Sequence, residues 1–583
     1  MEQVKKSTIT IILLQSFLFF GLLSVYFGKD NNWDLRNYHY YNAYAFLHNR
    51  LAIDYLPAQL QTFLNPAIDL PYYGLIQSIP PVAVGFIMGA IHGLNFWLIF
   101  LLTLRFCNTA FDQTPVCAKL IFALCSASTG VYGAAFLPLL GTATTDNLIS
   151  IFVITSLLLV IKSGQGDISI LTRGNISCLL LSGLIMGMAI GFKFTAAIYG
   201  LGMLCALPFL TNGWLERLKL CCGWSIATLS GVILTAGAWM MKMWCSFKNP
   251  VFPFFNRLFK SPYIPAVNFS DGRYFPDDWL QGLIYPFHFA LTNTQAMEIP
   301  FRDARWAIIY VLVLVLISVM IYRRRAGSEY SKLSHLKSKR EMAFSRFSVC
   351  LIIFFVSSYA IWQLVFSVYR YLVPIELLAP VTIATLLNRI HCSQKPQIFL
   401  CLLIFVGIIA TVQSPRWERL SWKAPFFEIE LPKIETPANT LIIVPQKKAW
   451  SYLFPYFHSS VRFVRVNTNL TEPGDDNKFQ AEMSALLEQH TGAVYLLSNM
   501  IYELEDQEII SRYRLRMSAT PAAPIKSRHE LPGLMLRKLE RTNYASDNSP
   551  EDQVRRRNGS QHGNGQHDQA EPEANMENKN HSN

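Results

Sequence analysis

The stretch Trp33-Asp-Leu-Arg-Asn-Tyr-His-Tyr-Tyr-Asn-Ala-Tyr-Ala-Phe46 holds the densest set of residues that could do chemistry. On an α-helix, Asp34, Asn37, Tyr38 and Tyr41 stand at i, i+3, i+4 and i+7 and share one face, with His39 next in the chain. Aromatic rings beside a carboxylate suit a sugar, whose apolar ring face stacks while the carboxylate accepts from a hydroxyl. A carboxylate so placed can also act as a general base. Two plainer readings compete: Asp34 caps an interfacial helix, and the tyrosines are membrane-interface anchors. Further along, Asp69 in Asp69-Leu-Pro-Tyr-Tyr73 is a second carboxylate, either a neighbour of Asp34 or a solvated surface group.

Four other places carry candidate groups. Asp146, in Gly141-Thr-Ala-Thr-Thr-Asp146-Asn147, precedes an apolar run, where it either caps a helix or takes part in catalysis. Lys193, in Gly191-Phe-Lys-Phe-Thr195, interrupts continuous apolar sequence; an ionisable group at that depth suggests function, and a phosphate would be its ligand. Snorkelling to the interface is the simpler account. In Tyr369-Arg370-Tyr371-Leu-Val-Pro374-Ile-Glu376, Arg370 offers a planar fork for phosphate, Tyr371 flanks it, and Glu376 could pair with it or with another base. Arg302 and Arg305 bracket Asp303, so they form either a headgroup clamp or an internal ion pair.

These residues need a membrane scaffold to hold them. Half of the 583 residues (51%) are hydrophobic and only 15% are charged, and the apolar runs are too long for a soluble core. About 20 apolar residues span a bilayer as a helix. Eleven spans are expected, at about 8–27, 80–104, 116–139, 147–162, 176–192, 194–210, 220–243, 305–322, 347–366, 372–388 and 397–413. The first follows Lys5 and Lys6 and lacks a small-residue cleavage site, so it reads as a retained anchor. Arg105 and Lys119, Lys162 and Arg173, Arg217 and Lys219, Arg323 to Arg346, and Arg389 and Lys395 fall in alternate loops. Lys and Arg accumulate in cytoplasmic loops, which puts the N-terminus inside, and loops 28–79 and 245–304 outside. All the candidate groups then lie at the outer face. The aromatic and proline content of 245–304 predicts short amphipathic helices along the interface.

The net charge of +12 is largely explained by the inner loops, and no basic groove with interleaved aromatics appears, which excludes nucleic acid as a partner. Eleven cysteines give neither a disulfide framework nor metal-ligand spacing. From about 414 the chain looks soluble. Strands are expected at 440–444, 463–466 and 493–497, and helices at 478–489 and 503–513, making a small α/β domain over 414–540. The segment 541–583 is too polar to bury a core and is expected to be disordered. The fold class expected is therefore an α-helical polytopic membrane protein of about eleven transmembrane helices, with a small C-terminal α/β domain and a disordered tail.

Over approximately residues 8–413 the motifs resemble those of polytopic glycosyltransferases of the GT-C superfamily, closest to the bacterial members. The marks are Asp34 in the first outer loop, interfacial helices after it, the Lys-containing hairpin Gly191–Thr195, and Arg370-Tyr371 with Pro374. The resemblance implies transfer of a sugar from a polyprenyl-phosphate carrier to a glycan, lipid or protein acceptor on the outer face of a bacterial inner membrane, among membrane lipids. In those terms Asp34 is the general base, Lys193 and Arg370 stabilise charge on the leaving phosphate, and Tyr38 and Tyr41 hold the sugar. The residues themselves add Asp146 as a catalytic candidate, and Asn37, His39, Asp69, Arg302, Arg305, Tyr371 and Glu376 as substrate-binding candidates. Asp34 is followed by Leu35 where some members have paired acids, so a divalent metal ion is the one cofactor the resemblance leaves open. Two readings of other kinds remain: a flippase for a lipid-linked glycan, and a non-catalytic scaffold of an envelope polysaccharide complex.

Overall fold

The computed structural model describes residues 4–111, 113–163, 173–269, 271–325, 339–390, 394–530 and 532–542. Nine helices among them are long and apolar enough to cross a membrane, and Val116–Val131 and Phe194–Leu210 are shorter apolar helices. Together they account for the eleven expected spans of an integral membrane protein. Much of the basic 323–346 loop and almost all of the 541–583 tail lie outside the described residues.

Two spans depart from expectation. The one at 80–104 runs from Pro81 to Ala110 with a one-residue interruption at Gly93, where a side chain would meet the Ser16 carbonyl at 2.8 Å. The one at 116–139 is helical only to Val131; residues 132–145 are irregular and mostly buried. Irregular backbone at this depth needs partners within the protein. Glu376 accepts from the Ala135 and Phe136 amides, both at 2.9 Å, and Asn147 donates to the Phe136 carbonyl at 3.0 Å. Arg419 donates to the Pro138 and Leu140 carbonyls at 2.8 and 2.9 Å, and Asp30 accepts from the Ala143 amide at 2.7 Å. The segment is thus stapled from four directions.

Small residues set the helix packing, as expected where lipid removes any hydrophobic difference between helix and surroundings. A Cβ at Gly187 would lie 1.9 Å from the Thr228 carbonyl, and one at Gly231 2.2 Å from that of Leu184, so Arg173–Phe192 and Trp214–Phe247 touch backbone to backbone. The helix Val373–Ile390 runs almost wholly buried through the bundle. In the 245–304 region, Trp279–His288 is amphipathic as expected, with Trp279, Leu280, Leu283, Ile284 and Phe287 exposed and Tyr285 and Pro286 buried.

The C-terminal region is an α/β unit. Thr440–Val444 pairs in parallel with Arg462–Arg465 on one side and Ala493–Asn499 on the other. Leu534–Arg541 then adds antiparallel to Ala493–Asn499 and to Leu515–Met517. The helices Lys478–Gln489 and Glu503–Ser511 fall where the sequence puts them. The first outer loop is built into this unit. Tyr55 bridges Val464 as a strand edge, and Lys29–Asp30 pairs antiparallel with Arg419–Leu420.

Candidate functional site

Asp34 owes its position to the strand just before it. Asp30 accepts from the Asn32 amide at 3.0 Å, and Asn32 in turn accepts from the Leu35 amide at 2.8 Å, which starts the next turn. That turn is not α-helical. Leu35–His39 is a π-helix, closed by the Tyr40 amide on the Leu35 carbonyl. Bonds of this wider kind, i to i+5, insert a residue into the turn and often mark functional positions. The expected i, i+3, i+4, i+7 face is therefore broken. Tyr38 and His39 stay with Asp34, while Asn37 and Tyr41 turn away.

Asp34 makes no capping bond; its carboxylate takes Nη1 of Arg370 at 2.5 Å. Asp146 takes Nζ of Lys193 at 2.6 Å. Tyr371 lies between the two cations, its ring centre 5.2 Å from Lys193 Nζ and 5.6 Å from the Arg370 guanidinium carbon. Tyr199 donates its hydroxyl to the Tyr371 carbonyl and so holds this backbone. Lys193 sits in an extended break between helices, and Asn65 of the outer loop donates to the Gly191 carbonyl just before it at 2.8 Å. Behind Asp34, Nδ1 of His39 is 2.7 Å from Asp69 Oδ1, with both side chains buried. The geometry joins four parts of the chain: the first loop, the start of Asp146–Ser163, the Lys193 break and the start of Tyr369–Ile390.

Electrostatics bind the cluster together. Burial would raise the Asp34 carboxyl, but the Arg370 guanidinium, helped by His39 and Lys193, outweighs it and holds the group below the usual carboxylate range. Burial, with the Asp34 and Asp69 charges nearby, pushes the Tyr38 phenol well up, so it stays neutral. Burial also raises Asp69, against the opposing pull of His39.

Five expected site residues are placed elsewhere. Tyr41 is fully buried and gives its hydroxyl to Asp54 at 2.5 Å, in a pair with Arg50. Asn37 is fully buried and donates to the Ala58 carbonyl at 3.3 Å. Arg302 donates to the Thr411 carbonyl at 2.7 Å, tying down the end of a helix. Arg305 pairs with Asp303 at 2.8 Å and donates to the Glu376 and Tyr132 carbonyls at 2.9 and 2.8 Å. Glu376 does not reach Arg370; it holds the 132–145 segment, with the Tyr369 hydroxyl 3.1 Å away. Arg305, Asp303 and Glu376 are each fully enclosed and form a structural network. The sequence reading missed Asp30, Asn32 and Arg419; Asn32 is a local turn signal two residues before Asp34, whereas no spacing rule links Asp30 and Arg419 to the 132–145 segment.

As donors for a divalent cation these residues fit poorly. Asp34 and Asp146 are each already neutralised by a cationic side chain, and among the described residues no three His, Cys, Asp or Glu side chains gather to hold a metal.

No protein-family model and no curated protein matches the chain. Among solved structures it is similar to the Archaeoglobus fulgidus oligosaccharyltransferase in the apo form, at 13% identity and a TM-score of 0.40, over 88% of this chain and 71% of that one. The same enzyme in complex with Zn and sulfate is similar at 14% identity and a TM-score of 0.40, over 84% and 68%. A third similar structure is the archaeal oligosaccharyltransferase AglB from that organism with an inhibitory peptide and a dolichol-phosphate. It is 12% identical with a TM-score of 0.37, over 84% and 70% of the two chains.

Proposed function

We propose that this chain is a GT-C-type membrane glycosyltransferase that moves a sugar from a polyprenyl-phosphate carrier to an acceptor on the outer membrane face. The observation that supports this reading is the convergence of two cation–carboxylate pairs, Arg370 with Asp34 and Lys193 with Asp146, around Tyr371. Both cations are partly open to solvent, with side-chain exposures of 23% and 17%, whereas their carboxylates are more enclosed at 11% and 5%. Incoming anions therefore meet the cations first.

The carrier phosphate takes the Arg370 fork and the Lys193 ammonium, which releases Asp34 from its ion pair. Asp34 then accepts the acceptor hydroxyl proton as that oxygen attacks the anomeric carbon, an effect of about 10²–10⁴-fold for a well-placed base. Arg370 and Lys193 stabilise the charge that builds on the departing phosphate. Asp146 holds Lys193 in place, and Tyr38 and Tyr371 wall the sugar. The orientation belongs to this proposal: N-terminus in the cytoplasm, and site and C-terminal domain outside, in a bacterial inner membrane.

The test compares cells carrying wild-type or Asp34→Asn protein at equal membrane levels. Extracted polyprenyl-phosphate sugars and outer glycans are followed together. Accumulation of one lipid-linked sugar in the variant, with loss of the same sugar from a glycan, is the expected result. Identical profiles in the two strains would overturn the assignment of Asp34 as base.

A further inference from the structure

His39 and Asp69 form an arrangement that the site as described does not yet use. Both are buried, at 3% and 5% exposure, and the 2.7 Å contact engages only one nitrogen of the imidazole. With the Nδ1 hydrogen directed at the Asp69 carboxylate, Nε2 carries the lone pair. Among the described residues that buried Nε2 has no hydrogen-bond partner. Leaving a buried polar atom unpaired costs about 1–3 kcal/mol, so such an atom calls for a reason. His92 and His529 also have an unpartnered Nε2, but their Nδ1 atoms meet the Gly141 amide and the Asn31 side chain. Neither has a carboxylate behind it to stabilise a proton. For His529, burial pushes the imidazole down to about 3, which keeps it neutral.

The setting of His39 distinguishes it further. The π-helical turn carries it on the Asp34 side, and the charged or titratable groups around it are Asp30, Asp34, Tyr38 and Asp69, with Lys193 and Arg370 across the site. The Tyr38 ring covers it at 4.0 Å between centres. Asp34 alone is a poor final resting place for a proton, because an arginine and a lysine nearby favour its ionised form.

Resting on the glycosyltransferase reading, we propose that His39 is the proton carrier of the site, with Asp69 as its positioning residue. The acceptor oxygen bonds the anomeric carbon, and its proton passes to Asp34 and on to Nε2 of His39. The bond from the anomeric carbon to the phosphate oxygen breaks, and its electron pair stays on the carrier phosphate. The imidazolium, stabilised by Asp69, returns the proton to that phosphate monoester or to water, which restores the starting state.

The experiment uses purified full-length protein with short-chain polyprenyl-phosphate hexoses and pentoses as donors and extracted envelope glycan as acceptor. Rates are measured across pH for wild type, His39→Gln, Asp69→Asn and Asp34→Asn, and farnesyl phosphate binding is measured in parallel. A sugar phosphodiester does not titrate near neutrality, so an acid limb in that region reports the protein. The expected result for His39→Gln is a rate loss of about 10²-fold with the acid limb gone and farnesyl phosphate affinity unchanged. Asp69→Asn shifts the limb to lower pH, since the imidazolium loses its counter-charge. If His39→Gln keeps the wild-type rate and profile while Asp34→Asn is inactive, the relay is wrong and the site reading survives. If wild-type protein transfers no sugar from any donor, the functional reading fails and the relay with it. Loss of farnesyl phosphate binding in both His39→Gln and Asp69→Asn would make the dyad structural and overturn the relay.

Discussion

Asp34 and Arg370 are 336 positions apart in the chain and meet at 2.5 Å. On the proposed reading the guanidinium serves two partners in turn, the carboxylate at rest and the phosphate during turnover. Arg370→Lys keeps the charge but not the planar fork, so transfer should fall by about 10²-fold. Lys193→Ala should cost a similar factor. The double variant should lose less than the product, because both side chains act on one phosphate. Initial rates on membranes of matched content decide this, and strictly multiplicative losses would count against a shared ligand. Residue types were legible in the sequence here: Asp34, Tyr38, His39, Asp69, Asp146, Lys193, Arg370 and Tyr371 were all singled out, and all meet in one cluster. Partner choice was not. Glu376 stands six residues after Arg370 but finds backbone amides of 132–145, a segment whose irregular path leaves no trace in hydrophobic periodicity.

Helices and strands were readable wherever burial followed a single period. Lys478–Gln489 keeps a clean amphipathic repeat and was placed to the residue. Leu534–Arg541 escaped notice because Arg537, paired with Glu503, and the exposed Lys538 interrupt the alternation of Leu534, Leu536 and Leu539. The π-helix at Leu35–His39 was also hidden, since composition does not record one inserted residue. Two predictions follow from how elements are held. Glu376→Ala leaves the buried Ala135 and Phe136 amides without their acceptor, so the protein should lose about 1–3 kcal/mol for each, read as a lowered unfolding midpoint in detergent. An unchanged midpoint would mean the network is not structural. The second concerns Asp506 on Glu503–Ser511, whose carboxyl accepts from Gln446 at 2.6 Å and is pushed by burial up to about 7. An unfolded aspartate titrates near about 4. Between about 4 and 7 the folded state therefore holds a proton that the unfolded chain has released. Stability of the sheet should fall as pH rises through this window. Asp506→Asn should flatten that dependence, as seen by amide hydrogen exchange in Ala493–Asn499; an unaltered slope would assign the effect to another group.

At the scale of the whole molecule, the membrane bundle supplies Lys193, Arg370 and Asp146, and the first loop supplies Asp34, His39 and Asp69. The first loop is sewn to the C-terminal sheet in two places. Arg50 pairs with Asp54 at 2.6 Å and donates to the Val461 carbonyl at 2.5 Å, and Asp54 accepts from the Phe463 amide at 3.0 Å. Lys29 donates to the Phe426 carbonyl at 2.6 Å. Asp54→Ala should therefore reduce transfer as well as stability, by about 3–5 kcal/mol in the latter, although it touches no substrate. Rates and unfolding midpoints of the same preparation test this; full activity at wild-type stability would show the seam to be idle. The seam also has a bearing on biogenesis. The loop that carries Asp34 leaves the ribosome early, yet the strands it rests on are among the last made. On the proposed reading, the bundle of a growing chain would insert while its base remains unset, and an interrupted translation product would occupy the membrane without consuming a sugar donor.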